Sequence, residues 1–290
     1  MPIPRILVIA GSDSGGGAGI QADIKTITML GGHAMTAVTA ITAQNTTGVQ
    51  AVHRIPTAMV LAQINSVVSD IGVDAVKIGM IGSAETANAV AGYLEQFAPL
   101  PGREGLGVGG EPAEHLDCPN PTHPRPLPSR EGRVPIVFDP VMVATTGAVL
   151  ADAGTIAAFN RLMRLATLVT PNLPELAALG GEAAVRALGP ALLVKGGHGD
   201  GAVVEDRLIA ADGETRWANP RIDTQHSHGT GCTLASGIAV GLAAGLPLAD
   251  AIGRAIAFVR AALAAAPALG AGHGPMGHAL GKIPFNRCQD

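Results

Sequence analysis

Apolar positions along this chain alternate between two patterns. Short apolar runs at Arg5–Ala10, Ala34–Ile41, Ala75–Met80, Pro135–Pro140 (ending in Asp139 and a proline), Thr167–Val169 and Ala191–His198 (ending in a lysine and glycines) predict strands buried on both faces of a parallel sheet. Between them apolar residues recur at helical spacing. Ile20, Ile24, Ile27 and Leu30 form one such series, stopped by Gly31-Gly32; Met59, Ile64, Val67, Val68 and Ile71 mark a helix over 57–71. Further helices are predicted at 84–97 and 152–165, after Thr170–Glu175, after the Gly229–Cys232 stretch, and from Pro247, where Leu248, Ile252, Val259 and Leu263 share a face. Residues 202–218 read as short strands turning at Asp206-Arg207 and at Asp212-Gly213. Strand–helix alternation of this kind predicts a three-layer α/β/α sandwich with a mainly parallel central sheet. Residues 99–133 break the pattern: they are rich in proline and glycine, without helical or strand period, and read as a surface insertion in a single domain over 1–290.

Composition narrows the function. With 47% hydrophobic and 14% charged residues the chain can bury a sizeable core, while aromatics at 2% leave little for base-stacking platforms. A net charge of −4 argues against a nucleic-acid or acidic-membrane partner. No apolar run approaches the ~18 residues that span a bilayer, and the apolar N-terminus reads as a first strand rather than a signal peptide. Three cysteines (Cys118, Cys232, Cys288) without paired spacing suit a reducing compartment, so a cytoplasmic enzyme is expected. The histidines show no zinc-binding spacing.

Chemistry concentrates at strand ends. The first strand runs into Gly11-Ser12-Asp13-Ser14-Gly15-Gly16-Gly17-Ala18-Gly19, which matches neither a Walker A sequence nor the dinucleotide fingerprint but can wrap closely around a ligand. Gln44 lies in a polar cluster at another strand's carboxyl end, where open α/β sheets bind ligands. Gly229-Thr230-Gly231-Cys232 precedes an apolar helix, and serves either as a glycine turn capping that helix or as an anion site on its backbone N–H groups. Asp139, Asn172 with Glu175, and Lys195 fall at strand ends or helix starts. Together with the 229–232 turn they resemble the parts of a phosphoryl-transfer site.

The same motifs carry a family resemblance. The Gly11–Asp23 stretch, Gln44-Asn45-Thr46, Asp139-Pro140-Val141-Met142, Thr170–Glu175 and His228–Thr233 resemble the hydroxymethylpyrimidine/phosphomethylpyrimidine kinases of thiamine biosynthesis, of the ribokinase-like superfamily. The likeness runs in order over residues 5–98 and 134–283. It implies a pyrimidine among Gly11, Ala18, Asp23, Gln44, Met80 and Val141, where an amide suits an aminopyrimidine edge. It also implies ATP beside Lys195, Asn172, Glu175 and Thr230, with Mg²⁺ held through water near Glu175, Asn172 and Asp139. Gly229 and Gly231 are expected to serve the moving phosphate. Cys232 stands where related sugar kinases place an aspartate base, and a helix N-terminus is expected to lower its pKa. Thr145 and Ile256 replace lysines usual in the family. The resemblance makes a homodimer plausible. A pyridoxal-type kinase and a non-catalytic pyrimidine-binding protein on a kinase scaffold are the alternatives.

Overall fold

The computed structural model describes residues 2–97, 134–144, 147–199 and 201–280. The expected insertion at 99–133, Thr145, Cys118 and Cys288 lie outside the described residues. One sheet organises the rest. Its strands are β1 Arg5–Asp13, β2 His33–Asn45, β3 Gly48–Arg54, β4 Ala75–Ile78, β5 Ile136–Phe138, β6 Leu168–Val169, β7 Ala191–Val194, β8 Val203–Ala210 and β9 Gly213–Pro220, in the order β3-β2-β1-β4-β5-β6-β7-β8-β9. From β2 to β7 every neighbouring pair is parallel, whereas β3, β8 and β9 pair antiparallel at the two edges.

The apolar runs are continuous because both sheet faces are covered. Leu7 and Ile9 of β1 point into a core with Val76, Ile78, Ile136 and Phe138. That core is closed by α2 Thr57–Asp70, α3 Ala84–Phe97 and α4 Ala153–Leu165, through Ile64, Val90 and Phe159 among others. Ile6, Val8 and Ala10 point the other way, into a core with Val137, Leu168 and Leu193. α1 Gly19–Met29, α7 Thr230–Ala243 and α8 Leu248–Ala264 close this second core. Two short helices, α5 Leu173–Ala178 and α6 Gly181–Arg186, follow β6. The expected three-layer, mainly parallel architecture is what forms.

One local expectation is extended and one corrected. The Gln44–Gly48 turn cluster forms at the end of β2, and it is the turn of a hairpin, with Asn45 opposite Gly48 and an unexpected strand, β3, folding back along β2. The sharp turn expected at Asp206-Arg207 does not exist, because Asp206 faces Trp217 in the middle of the β8–β9 ladder. Its carboxylate is buried and accepts the Gly196 N–H at 3.0 Å, so a residue with turn-forming chemistry is spent on fixing the loop after β7.

Candidate active site

The sheet order reverses at β1, which neighbours β2 on one side and β4 on the other. A crevice opens at such a point beyond the strands' carboxyl ends. A cavity of about 890 Å³ lies there, large enough for a nucleotide and a small second ligand. The strands supply its wall in sequence: Gly11 and Asp13 from β1, Thr42 and Gln44 from β2, Met80 after β4, Asp139 and Val141 after β5, Asn172 after β6 and Lys195 after β7.

One end is built on Asp13. Its buried carboxylate accepts the backbone N–H groups of Gly15, Gly17 and Ala18 at 2.8, 3.0 and 2.8 Å and lies 2.9 Å from Nε2 of His228. Burial alone raises such a carboxyl; the His228 hydrogen bond and the backbone donors outweigh it and hold Asp13 below its ordinary value. The glycines are required by close approach. A Cβ on Gly17 would stand 2.6 Å from the His228 ring, and Gly19 has φ +56 with its Cα against the Gly11 carbonyl. Ser14 Oγ fixes the neighbouring strand end, donating to the Gln44 carbonyl at 2.7 Å and accepting the Gln44 N–H at 2.8 Å.

The other end is the start of α7. Gly229 caps it at φ +88, and a Cβ there would overlap the Gly17 carbonyl, so the loops 13–19 and 227–231 meet backbone to backbone. Thr230, Gly231 and Cys232, whose first-turn N–H groups have no intrahelical partners, line the cavity. Lys195 Nζ reaches this point, 2.6 Å from Asp139 Oδ1 and 3.8 Å from Glu175 Oε2, and a Cβ on Gly231 would lie 3.2 Å from it. Burial alone would lower Lys195; Asp139 and Glu175 overcome that and raise it, so it is a cation at neutral pH. Glu175 is raised, chiefly by burial, against the pull of Lys195.

Asn172 and Glu175 form a reciprocal capping box on α5: Asn172 Oδ1 accepts the Glu175 N–H at 2.8 Å and Glu175 Oε2 accepts the Asn172 N–H at 2.8 Å. Among the described residues no group of three His, Cys, Asp or Glu side chains could hold a metal directly. The donor set still suits Mg²⁺, which keeps several waters and needs only one or two carboxylates beside phosphate oxygens. Asp139 and Glu175, both on the cavity wall, are carboxylates of that kind.

Cys232 departs from expectation. It lies at the helix start, yet burial pushes its thiol up to about 11; Lys77 and the Gly19 backbone donor lower it, while Asp23 and Asp139 raise it. Desolvation therefore outweighs the helix terminus, and the group is a thiol at neutral pH. Asp23, expected against the pyrimidine, is not on the cavity wall. It is fully buried, with both oxygens 2.9 Å from Lys77 Nζ and Oδ1 accepting Ser236 Oγ at 2.7 Å.

All the other expected residues line the cavity: Gly11, Ala18, Gln44, Met80, Val141, Asp139, Asn172, Glu175, Lys195, Gly229, Thr230, Gly231 and Cys232. Ile256 lines it too, buried beside Val259, and Arg260 one turn on reaches the same wall and donates to the Pro220 carbonyl at 2.8 Å. Asp13, His228, Lys77, Arg221 and Arg260 were not singled out by sequence reasoning. Asp13 and His228 sit inside quoted motifs, so the signal was present; their pairing, across 215 positions, was not.

A family model described as phosphomethylpyrimidine kinase matches residues 13–101 and 126–277. A hydroxymethylpyrimidine/phosphomethylpyrimidine kinase of Streptomyces coelicolor is 42% identical, with 96% of each chain covered. The thiamine biosynthesis bifunctional protein ThiED of Geobacter sulfurreducens is 43% identical over 96% of this chain, which spans about half (53%) of that longer protein. Among solved structures, a Bacillus subtilis pyridoxal kinase in complex with ADP superimposes with a TM-score of 0.77 at 28% identity, covering 96% of this chain and 98% of that one. The sandwich is therefore ribokinase-like, and with a model matched over most of its length and a relative covered end to end, the chain belongs to the phosphomethylpyrimidine kinase family.

Proposed function

We propose that the chain is an ATP-dependent kinase that phosphorylates 4-amino-5-hydroxymethyl-2-methylpyrimidine and then its monophosphate, in thiamine biosynthesis. The observation that carries this reading is the cavity itself. Its wall carries the Gln44 amide, the Gly11–Gly19 loop, the α7 N-terminus with Cys232, and Lys195. The full-length likeness to the Streptomyces kinase supports the same substrate pair.

In this reading the pyrimidine edge meets Gln44, and its hydroxymethyl group points to Cys232. The γ-phosphoryl of ATP moves onto that hydroxyl oxygen as ADP leaves. Backbone donors of Gly229, Gly231 and Cys232 receive the charge on the transferred group, and Lys195 supplies a cation beside it. Phosphoryl transfer passes through a loose transition state, so a base adds less than such donors do. Cys232, a thiol at neutral pH, is then a hydrogen-bonding neighbour of the substrate hydroxyl, whose proton passes to an oxygen of the transferred phosphoryl group and from there to water. Asn172 and Glu175 set the α5 start toward the phosphates, and Thr230 lines the same cavity. Asp139 and Glu175 would hold Mg²⁺ through water, and the ion would there neutralise phosphate charge. A cytoplasmic location, where ATP and a reduced Cys232 coexist, and a homodimer accompany this reading.

The pyridoxal kinase likeness, at a TM-score of 0.77, favours a second reading in which pyridoxal is the substrate. An ADP-release assay with the pyrimidine alcohol, its monophosphate and pyridoxal, each with and without Mg²⁺, decides among the readings. Turnover of both pyrimidines, faster than pyridoxal and dependent on Mg²⁺, is the expected result. Faster turnover of pyridoxal overturns it, and ligand-induced stabilisation without ADP release points to a non-catalytic binding protein.

A further inference from the structure

The hydrogen bonds around Gln44 are compatible with one orientation of its amide. Thr42 Oγ1 lies 2.8 Å from the Ser12 carbonyl and 3.2 Å from Gln44 Oε1, yet a threonine has one hydroxyl hydrogen to give. At the other side His228 Nε2 stands 2.9 Å from Asp13 Oδ2 and 3.1 Å from Gln44 Nε2. The Asp13 carboxylate already takes three backbone N–H groups and only accepts, so Nε2 of His228 carries a proton aimed at it. A second donor, the Gln44 amide nitrogen, then faces a donor. The surrounding network fixes which end of the amide is oxygen. Turning the Gln44 amide by 180° removes both conflicts together. The carboxamide oxygen then shares the single His228 Nε2 hydrogen with Asp13 in a three-centre bond, and the NH₂ donates to Thr42 Oγ1, whose own hydrogen goes to Ser12.

We propose that Asp13 and His228 act as positioning residues that lock the Gln44 carboxamide, oxygen toward His228 and nitrogen toward Thr42, and so select an amino over an oxo substituent on the substrate ring. The selection follows from what the lock leaves available. One N–H remains on the Thr42 side and one oxygen lone pair on the His228 side, both on a residue of the cavity wall. An aminopyrimidine edge answers this in one direction, its ring nitrogen accepting and its exocyclic amine donating. The corresponding oxo ring, with a ring N–H and an exocyclic carbonyl, presents the reverse pattern. A freely turning amide would serve both; a locked one leaves two polar groups unpaired against the oxo ring, and unpaired buried groups are what sites reject most strongly. The backbone of Gln44 is held on both its N–H and its carbonyl by Ser14 Oγ, so the freedom left lies in the side-chain torsions, the amide rotation among them.

The substrate part of this inference rests on the proposed pyrimidine kinase activity; the lock itself does not. Neutron diffraction from deuterated crystals of the full chain reads it directly. Deuterium on His228 Nε2 and two deuterons on the Gln44 atom facing Thr42 are expected; an ND₂ group facing His228 overturns the lock whatever the chain phosphorylates. Specificity is read as the ratio of kcat/KM for the 4-amino alcohol to that for its 4-oxo analogue. The wild type is expected to favour the amino compound about 1,000-fold. His228→Phe should cut the ratio at least tenfold, while His228→Gln, which returns an N–H near the Nε2 position, should retain most of it. Thr42→Val, breaking the lock at its other end, should also lower the ratio. Equal losses on both substrates with an unchanged ratio in His228→Phe and Thr42→Val would overturn the selection role. Absence of turnover on the amino compound in the wild type defeats the proposed function instead, and leaves the deuteron positions to decide the lock.

Discussion

A thiol at a helix start is commonly read as reactive, but Cys232 shows which effect wins when the site is enclosed. Helix dipoles contribute under about 1 kcal/mol in most settings, whereas taking a thiolate out of water costs more. With its thiol pushed up to about 11, Cys232 should resist alkylation by iodoacetamide at pH 7.5, its rate rising through pH 9–11. Peptide mapping separates it from Cys118 and Cys288, and rapid labelling of Cys232 at pH 7.5 would show that the thiolate is already present. His278 gives the reverse case. It is buried beside Thr233, 2.8 Å from its hydroxyl, and burial followed by the charge of Lys25 lowers it from 6.5 to about 4. As pH falls from about 6.5 towards 4 the unfolded chain takes up a proton that the folded chain refuses, so stability present above pH 6.5 is lost through that window, by roughly 3 kcal/mol. Urea midpoints at pH 7.5 and 4.5 should converge in His278→Phe relative to wild type; an equal pH response in both proteins contradicts this.

At the scale of elements, the α7 start depends on the one residue type that fits it. Gly229→Ala would force a side chain at φ +88 into the Gly17 carbonyl, shifting the first turn of α7 and the loop it touches. A displacement of about 1 Å in such donors costs on the order of 100-fold in rate. The variant should therefore keep its far-UV circular dichroism and lose kcat/KM by about that factor; activity within threefold of wild type would show that the turn is not part of the site. The motif at 229–232 was legible in sequence because its glycines and the apolar helix behind them are contiguous. The parallel strands were legible for the same reason: each is an unbroken apolar run. β3 was not, since its side chains are mostly exposed and show no alternation to mark a face. Asp206 was misread because a turn residue and a buried acceptor look alike until the partner, Gly196, is placed beside it. Asp13, His228 and Lys77 remained hidden on the same ground, their partners lying 215 and 54 positions away.

At the scale of the whole molecule, one buried ion pair ties the layers together. Lys77 from β4 meets Asp23 from α1, and Ser236 from α7 completes the set, with no exposure of either charged side chain. Removing one partner strands a charge, which costs about 3–5 kcal/mol, whereas replacing both with apolar residues is often neutral. Lys77→Met should thus lower the urea midpoint markedly and Lys77→Met with Asp23→Leu should recover most of the loss. A double variant as weak as the single one would mean that the charges themselves stabilise the fold. The pair also acts as a proofreader of strand placement. Val76 and Ile78, on either side of Lys77, belong to the opposite core, so a slip of β4 by one residue would drive the ammonium among Ile64, Val90 and Phe159 and leave Asp23 alone. Three segments distant in sequence must arrive in register before the charges find each other, and only that assembly carries β4's carboxyl end, with Met80, to the cavity wall.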